Sequence, residues 1–307
     1  MKASKKNLML LYLCLLQARR IIRFRHLARS LPQICREADQ GDISAFVSPA
    51  WQKVNAALLD KMRRGLRLGF LREQLVGDTM VFTLKRGLAP ELEFLESTSG
   101  DAQLRSLLRE DAAGLPEVIS RRYLTSLNRI HHTYHLKRYL AHTGIDPASI
   151  DCIVEWGGGY GDLARICRRL FGSGNTYIII DTPFFCAVQY VYLSSVSGNA
   201  PVKICLPGNG GILKGGVNIV PLGMIESLQI PRPDLFISTW ALSESTGFAQ
   251  EYVDTKLQFT AAKRYLLAFQ KNSATFTTAE RTGEFATQSG GSILPISFLE
   301  GNFYAFK

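Results

Sequence analysis

The stretch Val154-Glu155-Trp156-Gly157-Gly158-Gly159-Tyr160-Gly161-Asp162 stands where a short apolar run, Ile150 to Trp156, gives way to a helical pattern. In that pattern Leu163, Ile166, Cys167 and Leu170 form one apolar stripe, with Arg165, Arg168 and Arg169 on the other side. A buried strand running into a helix through glycines predicts a sharp turn. Its backbone can approach a ligand closely, and the free N–H groups of the helix start lie beside it.

Outward from this turn, the second half of the chain alternates short apolar runs with helical patterns, the mark of a parallel sheet covered on both faces. Tyr177–Asp181, Asn218–Pro221, Leu235–Thr239 and Tyr265–Phe269 read as further strands, and Ala187, Val188, Val191 and Tyr192 as a second covering stripe. Ile296–Leu299, Glu300-Gly301-Asn302 and Phe303–Phe306 read as an antiparallel hairpin closing the sheet. The loop 207–216, with five glycines, reads as a mobile surface excursion. Upstream, Leu8–Ala28, Ala45–Leu68, Ala102–Glu110 and Ser120–His142 have helical spacing, with a short extended pair expected around Thr79–Leu84. Asp146 and Pro147 are expected to end the last of these helices.

The 307 residues and their 46% hydrophobic share exclude wholesale disorder. Residues 1–150 carry 24 basic and 14 acidic side chains and residues 151–307 carry 12 of each, so the net +10 belongs to the first half. A clustered positive field attracts anions such as nucleic acid or acidic lipid. The six cysteines stand singly, without a C-x-x-C pair, which fits a reducing compartment rather than a disulfide framework or zinc knuckle. Met1–Arg20 is too short to span a bilayer and lacks a small-x-small cleavage site.

Two ligand types use a glycine turn of this kind. A dinucleotide fingerprint begun at Gly157 needs glycine at 162, where this chain has Asp162. Glu155 would repel a pyrophosphate and attract an ammonium or sulfonium group. The order acid-x-Gly-x-Gly-x-Gly resembles the first motif of the class I S-adenosylmethionine-dependent methyltransferases. Asp181, 20 residues after Gly161, stands where an acid can accept hydrogen bonds from both ribose hydroxyls.

With E-W-G-G-G-Y-G-D-L-A at 155–164, I-I-I-D-T-P at 178–183 and F-I-S-T-W-A-L-S-E at 236–244, the chain is similar to the sugar O-methyltransferases of bacterial surface-glycan clusters. The resemblance covers about 151–270 well, 120–150 loosely and 1–119 little. It implies an α/β fold, a doubly wound Rossmann-like methyltransferase sheet over 146–307, preceded by a basic, mainly helical region over 1–145 that shapes the acceptor site. Implied cofactor contacts are Glu155, Gly157, Gly158, Gly159, Tyr160, Gly161, Asp181, Thr182, Ser238, Thr239 and Trp240. Ser243 and Glu244 would equally serve as the cap and first turn of a helix.

The implied reaction is methyl transfer from S-adenosylmethionine to a sugar hydroxyl of a glycan or its precursor. A hydroxyl is a poor nucleophile, so a general base is expected, from Glu244, His132 or His135. His131, His135 and His142 share one helical face, but a metal is not expected. Alternatives are an RNA or other small-molecule acceptor, or a non-catalytic cofactor-binding protein. Nucleic acid is disfavoured because no RNA-binding module is recognisable. The expected location is cytoplasmic, at the inner face of the membrane through residues 1–30, where Leu8, Leu11, Tyr12, Leu15 and Leu16 precede Arg19, Arg20, Arg23, Arg25 and Arg29.

Overall fold

The computed structural model describes residues 2–61, 65–82, 89–172, 174–209 and 211–307. Among the described residues, eight α-helices come first: α1 (Lys2–Leu16), α2 (Ala18–Ala28), α3 (Leu31–Ala38), α4 (Pro49–Lys61), α5 (Gln74–Met80), α6 (Ala89–Thr98), α7 (Asp101–Leu108) and α8 (Leu127–Thr143). Then β1 (Cys152–Trp156), α9 (Asp162–Leu170), β2 (Thr176–Asp181), α10 (Pro183–Val196), β3 (Val202–Ile204) and β4 (Val217–Pro221) form one side of a sheet. The other side is β5 (Leu235–Thr239), α11 (Ala241–Glu244), α12 (Gly247–Thr255), β6 (Tyr265–Gln270), α13 (Arg281–Gln288), β7 (Ser292–Pro295) and β8 (Asn302–Phe306).

The strand order is β3-β4-β2-β1-β5-β6-β8-β7. The first six are parallel, and β8 and β7 close the edge antiparallel. The chain winds outward from β1 through β2 and β4, then returns to β1's other flank as β5. This reversal makes a doubly wound, Rossmann-like sheet, and a crevice opens beyond the carboxyl ends of β1 and β5. The strands Tyr177–Asp181, Leu235–Thr239 and Tyr265–Phe269 lie within one residue of their expected bounds.

Several local expectations are corrected. The outer strand of the closing hairpin is Ser292–Pro295, not Ile296–Leu299. Pro295 has no N–H for the ladder, and Ile296 turns into the core, 3% exposed. Strand β3 precedes the glycine-rich loop, whose first part is tied by Asn209 Oδ1 accepting from Leu206 N at 2.8 Å. Ser120–Thr125 is a small bridge, and α8 starts only at Leu127, where Ser126 Oγ accepts the Arg129 N–H. It ends at Gly144, left-handed at φ 66°, before Asp146 and Pro147 are reached. Thr79 and Met80 finish a helix instead of starting an extended pair; Thr83–Leu84 lie outside the described residues.

Helix α10 is buried on nearly every side, because β2 and β4 lie beneath it while α2 and α3 cover its outer face. An all-round apolar sequence such as Phe184-Phe185-Cys186-Ala187-Val188 suits that position. One core cluster contains Phe24, Leu31, Leu136 and Tyr139 together with Ile153, Val191 and Phe306, so it crosses residue 145 without interruption.

A buried ionic knot reinforces this joint. Arg129 of α8 is fully buried, with Nη2 2.8 Å from Asp162 Oδ1, 3.1 Å from Glu110 Oε2 and 3.4 Å from Asp111 Oδ2. Asp111 also meets Arg20 at 2.7 Å, Arg165 at 3.1 Å and Arg169 at 3.0 Å. Of the three arginines expected on the outer side of α9, Arg165 and Arg169 therefore point into the N-terminal region, while Arg168 donates to Asn175 and to Gly215 O. Burial alone would raise the Asp111 carboxyl, but Arg165, Arg169 and Arg129 outweigh it and hold it well below the usual range. Replacing Arg129 by Leu leaves three buried carboxylates short of a partner. The expected loss is about 3–5 kcal/mol of unfolding free energy. Urea titration measures it, and a loss under about 1 kcal/mol would mean that the carboxylates rehydrate without cost.

Candidate active site

Strand β1 ends against the glycine turn, and each glycine there has its own reason. Gly157 has φ 77°, and a Cβ on it would lie 2.1 Å from that of Ala241. A Cβ on Gly158 would meet Ile179 Cγ2 at 2.6 Å. Gly159 has φ 54° and nothing within 4 Å of its would-be Cβ, because it faces the cavity. Gly161, left-handed, is the N-cap of α9 and stands off the cavity wall.

The two acids flanking this turn are protonated more readily than ordinary carboxyls. Glu155 is 1% exposed, and burial pushes it up to about 8 even though its Oε2 accepts a hydrogen bond from Tyr177 Oη at 2.9 Å. Burial likewise pushes Asp181 up to about 7, against the N–H donors around it. Asp181 Oδ2 accepts from Gly158 N at 3.0 Å and Gln189 Nε2 at 2.7 Å, while Oδ1 accepts from Thr182 N at 2.8 Å. Of roughly four lone-pair positions, three are taken by the protein. Asp181 thus closes the turn and, with the Gly159 N–H also directed at it, keeps room for at most one more donor, fewer than the two ribose hydroxyls expected of it.

The crevice holds a cavity of about 290 Å³ lined by Glu155–Tyr160, Asp181, Thr182, Thr239, Trp240 and Glu244. Its cover comes from the N-terminal region: Phe46–Ser48, Trp51, Asp78–Phe82, Asn128, His131 and His132. Four carboxylates, Asp78, Glu155, Asp181 and Glu244, stand on this wall, and no lysine or arginine does among the described residues. Ser238 is behind the wall, donating to Trp156 O and accepting from Leu242 N, both at 3.0 Å. Trp240 has φ 66° and ψ −37°, a costly conformation for a bulky residue. Its N–H donates to Ala268 O at 2.6 Å and its Nε1 to Asn302 Oδ1 at 2.7 Å, which hold the ring in place.

The three candidate bases separate clearly. His132, half-buried on the wall, has Nδ1 2.9 Å from Asp162 Oδ2. Burial would raise Asp162, but Arg129 and His132 prevail and keep it below the ordinary range, hence ionised. A carboxylate there accepts from Nδ1–H and leaves the Nε2 lone pair of His132 available. Glu244 also lines the cavity; its Oε2 accepts from Trp51 Nε1 at 2.9 Å, and burial raises its carboxyl. His135 is corrected: it is fully buried off the wall, with Nδ1 2.6 Å from Tyr304 Oη.

Of the face shared by His131, His135 and His142, the first two are buried against Trp240, Phe298 and Tyr304, whereas His142, beside Phe306, is exposed. His131 meets Glu91 at 2.6 Å and stacks on Phe82. Ser243 and Glu244 finish the short α11 and do not begin a helix. Asn128, one turn before His132, was foreseeable from spacing alone, whereas nothing in the local sequence marks Phe46, Trp51, Asp78 or Phe82.

No family model matches the sequence, and no curated protein matches it. Among solved structures, the chain is similar to PigF with SAH, at 12% identity over 58% of this chain and 57% of that one, with a TM-score of 0.38. Magnesium protoporphyrin IX methyltransferase (ChlM) from Synechocystis PCC 6803 with bound SAM is matched at 13% identity over 58% and 81%, TM-score 0.39. N-methyltransferase NodS from Bradyrhizobium japonicum WM9 in complex with S-adenosyl-L-homocysteine is matched at 12% over 58% and 85%, also 0.39. The match spans little more than half of PigF's length.

The raised Glu155 carboxyl has a measurable linkage. Its folded pKa of about 8 lies above the unfolded value of about 4.5, so the stability tied to its proton is complete below the latter and is lost as pH rises through the former. Glu155→Gln keeps the hydrogen-bonding shape and removes the titration. The unfolding free energy should fall less in the variant than in the wild type between mildly acidic and alkaline pH, by roughly 2 kcal/mol, as read by urea titration at each pH. Parallel curves for the two proteins would show that water reaches Glu155.

Proposed function

We propose that the chain is an S-adenosylmethionine-dependent O-methyltransferase whose acceptor is a neutral sugar or glycan hydroxyl. The observation that carries this reading is the electrostatic character of the cavity: four carboxylates, a glycine turn open at Gly159, and no cationic side chain among its described lining residues. Such a wall suits a ligand with ammonium and sulfonium charges, beside which the raised carboxyls ionise, and offers a phosphate no cation to pair with. Among the described residues the basic excess does not reach the cavity, which argues against RNA as acceptor.

The residues fit this cofactor. Glu155 is a buried carboxyl that gains a partner by ionising beside a cation. Gly159 leaves the backbone bare where a ligand would approach, and Asp181 retains at most one acceptor position for a ribose hydroxyl. When bound, the cofactor supplies a methyl group made electrophilic by its sulfonium. For the acceptor, the rings of Trp51, Trp240, Phe46 and Phe82 offer apolar faces to a sugar's C–H surface, and Asp78, Glu244 and Asn128 offer partners to its hydroxyls.

The protein's own share of the chemistry is alignment and one proton. His132 takes the acceptor proton at Nε2 while Asp162, held by Arg129, keeps the Nδ1–H and stabilises the imidazolium. Glu244, tied to Trp51, positions the acceptor. The helices of the N-terminal region exclude water from the site.

Calorimetric titration tests the cofactor: Asp181→Ala should weaken binding by about 1.5–3 kcal/mol, and Gly159→Val should do worse. Labelled-methyl assays on neutral glycans test the acceptor and base. His132→Ala should cut turnover by roughly 100- to 10,000-fold with cofactor affinity retained, and Asp162→Asn should also reduce it. Methyl incorporation into RNA but into no glycan overturns the acceptor assignment, and near-normal turnover in His132→Ala overturns the base.

A further inference from the structure

Helix α1 is held to the molecule by one face only. Leu10 and Leu13 are buried in a cluster with Ala112 and Val118. Just beyond the helix, Gln17 donates to Glu110 O at 2.8 Å and accepts from Ala112 N at 3.0 Å. The opposite face is apolar and open: Leu8, Leu11, Tyr12, Leu15 and Leu16 are between 54% and 70% exposed. They span about 140° of the helix at roughly 100° per residue. Helix α2 continues this exposed character with Ile22, 67% exposed. An uncovered patch of this kind marks a contact surface, since isolated exposed apolar residues are ordinary but a contiguous stripe is not.

Charge identifies the contact. Residues 1–36 contain nine lysines and arginines and no acidic residue; the first carboxylate of the chain is Glu37. Lys5 stands exposed at one end of the stripe, and Arg19, Arg23, Arg25 and Arg29 are exposed beyond the other. Lys6 pairs with Glu117 and Arg20 with Asp111, which are the ion pairs of this segment among the described residues. No helix among the described residues is long and apolar enough to cross a membrane. A half-buried helix with an apolar outer face and a basic fringe instead suits the boundary between acyl chains and anionic headgroups.

We infer that the outer face of α1, with the basic side chains of α2, docks on an anionic lipid surface. The apolar stripe enters the headgroup boundary, and Lys5, Arg19, Arg25 and Arg29 meet the negative surface potential. Neither element contributes to the cavity wall, so the attachment stands whether or not methyl transfer is the activity.

Vesicle sedimentation of the full-length protein reads this contact without turnover. Vesicles containing phosphatidylglycerol in phosphatidylcholine should retain the protein at least about tenfold better than phosphatidylcholine alone, and added salt should release it. Leu11→Asp/Leu15→Asp should lower retention about tenfold or more. Arg19→Glu/Arg29→Glu should abolish the preference for anionic vesicles. The milder Leu11→Ser/Leu15→Ser pair gives the same readout if the acidic pair does not fold. Equal retention of wild type and folded variants, or equal retention on both vesicle types, overturns the inference. So does a wild-type dimer in sedimentation velocity that the Leu11/Leu15 variants dissociate, because a second copy is then the occupant.

Discussion

The ion pair between Arg129 and Asp162 sets the relation between the two parts of this protein. Asp162 is the first residue of the helix that follows the glycine turn, and Arg129 belongs to the helix covering the crevice; both are fully buried. Two charges in a dry environment tolerate little displacement, since neither can be rehydrated without opening the core. The same carboxylate holds the ring of His132 through its second oxygen. A single side chain therefore fixes the cover, the turn and an imidazole relative to one another.

This knot also explains why the net charge is a poor guide to the cavity. Arg20, Arg129, Arg165 and Arg169 are consumed by Glu110, Asp111 and Asp162 inside the molecule. Among the described residues, most of what remains of the basic excess lies on the exposed surface, while the crevice collects acidic side chains. The positive first half and the acid-lined cavity coexist because they face different directions.

The sheet was largely legible in the amino-acid order, since Ile178-Ile179-Ile180 and Leu235-Phe236-Ile237 are unbroken apolar runs bounded by turn residues and are buried on both faces. The glycine turn with Glu155 and Asp181 was legible for the same local reason. The N-terminal helices were harder. Pro32 looks like an interruption but opens α3 at a position where proline suits a helix start. Strand β3, three residues with a lysine at its centre, has no period to detect. The cover of the cavity is a tertiary product: Trp51 reaches Glu244 across 193 positions, and no local pattern carries such a contact. His135 illustrates the converse, a side chain whose helical register matched its neighbours but whose face met Tyr304 instead of the cavity.

The burial of α10 also has a consequence for the order of events during synthesis. Helices α2 and α3 leave the ribosome about 150 residues before the helix they cover, and at roughly 5–20 residues per second that is a delay of about 8–30 seconds. Throughout that interval Leu31, Ile34 and Cys35 lack the surface of α10 that they come to cover, although Phe24 can already stack on Phe70. The apolar faces of the N-terminal helices therefore stay partly uncovered until α10 has been made. The central helix, once made, finds its outer layer already waiting.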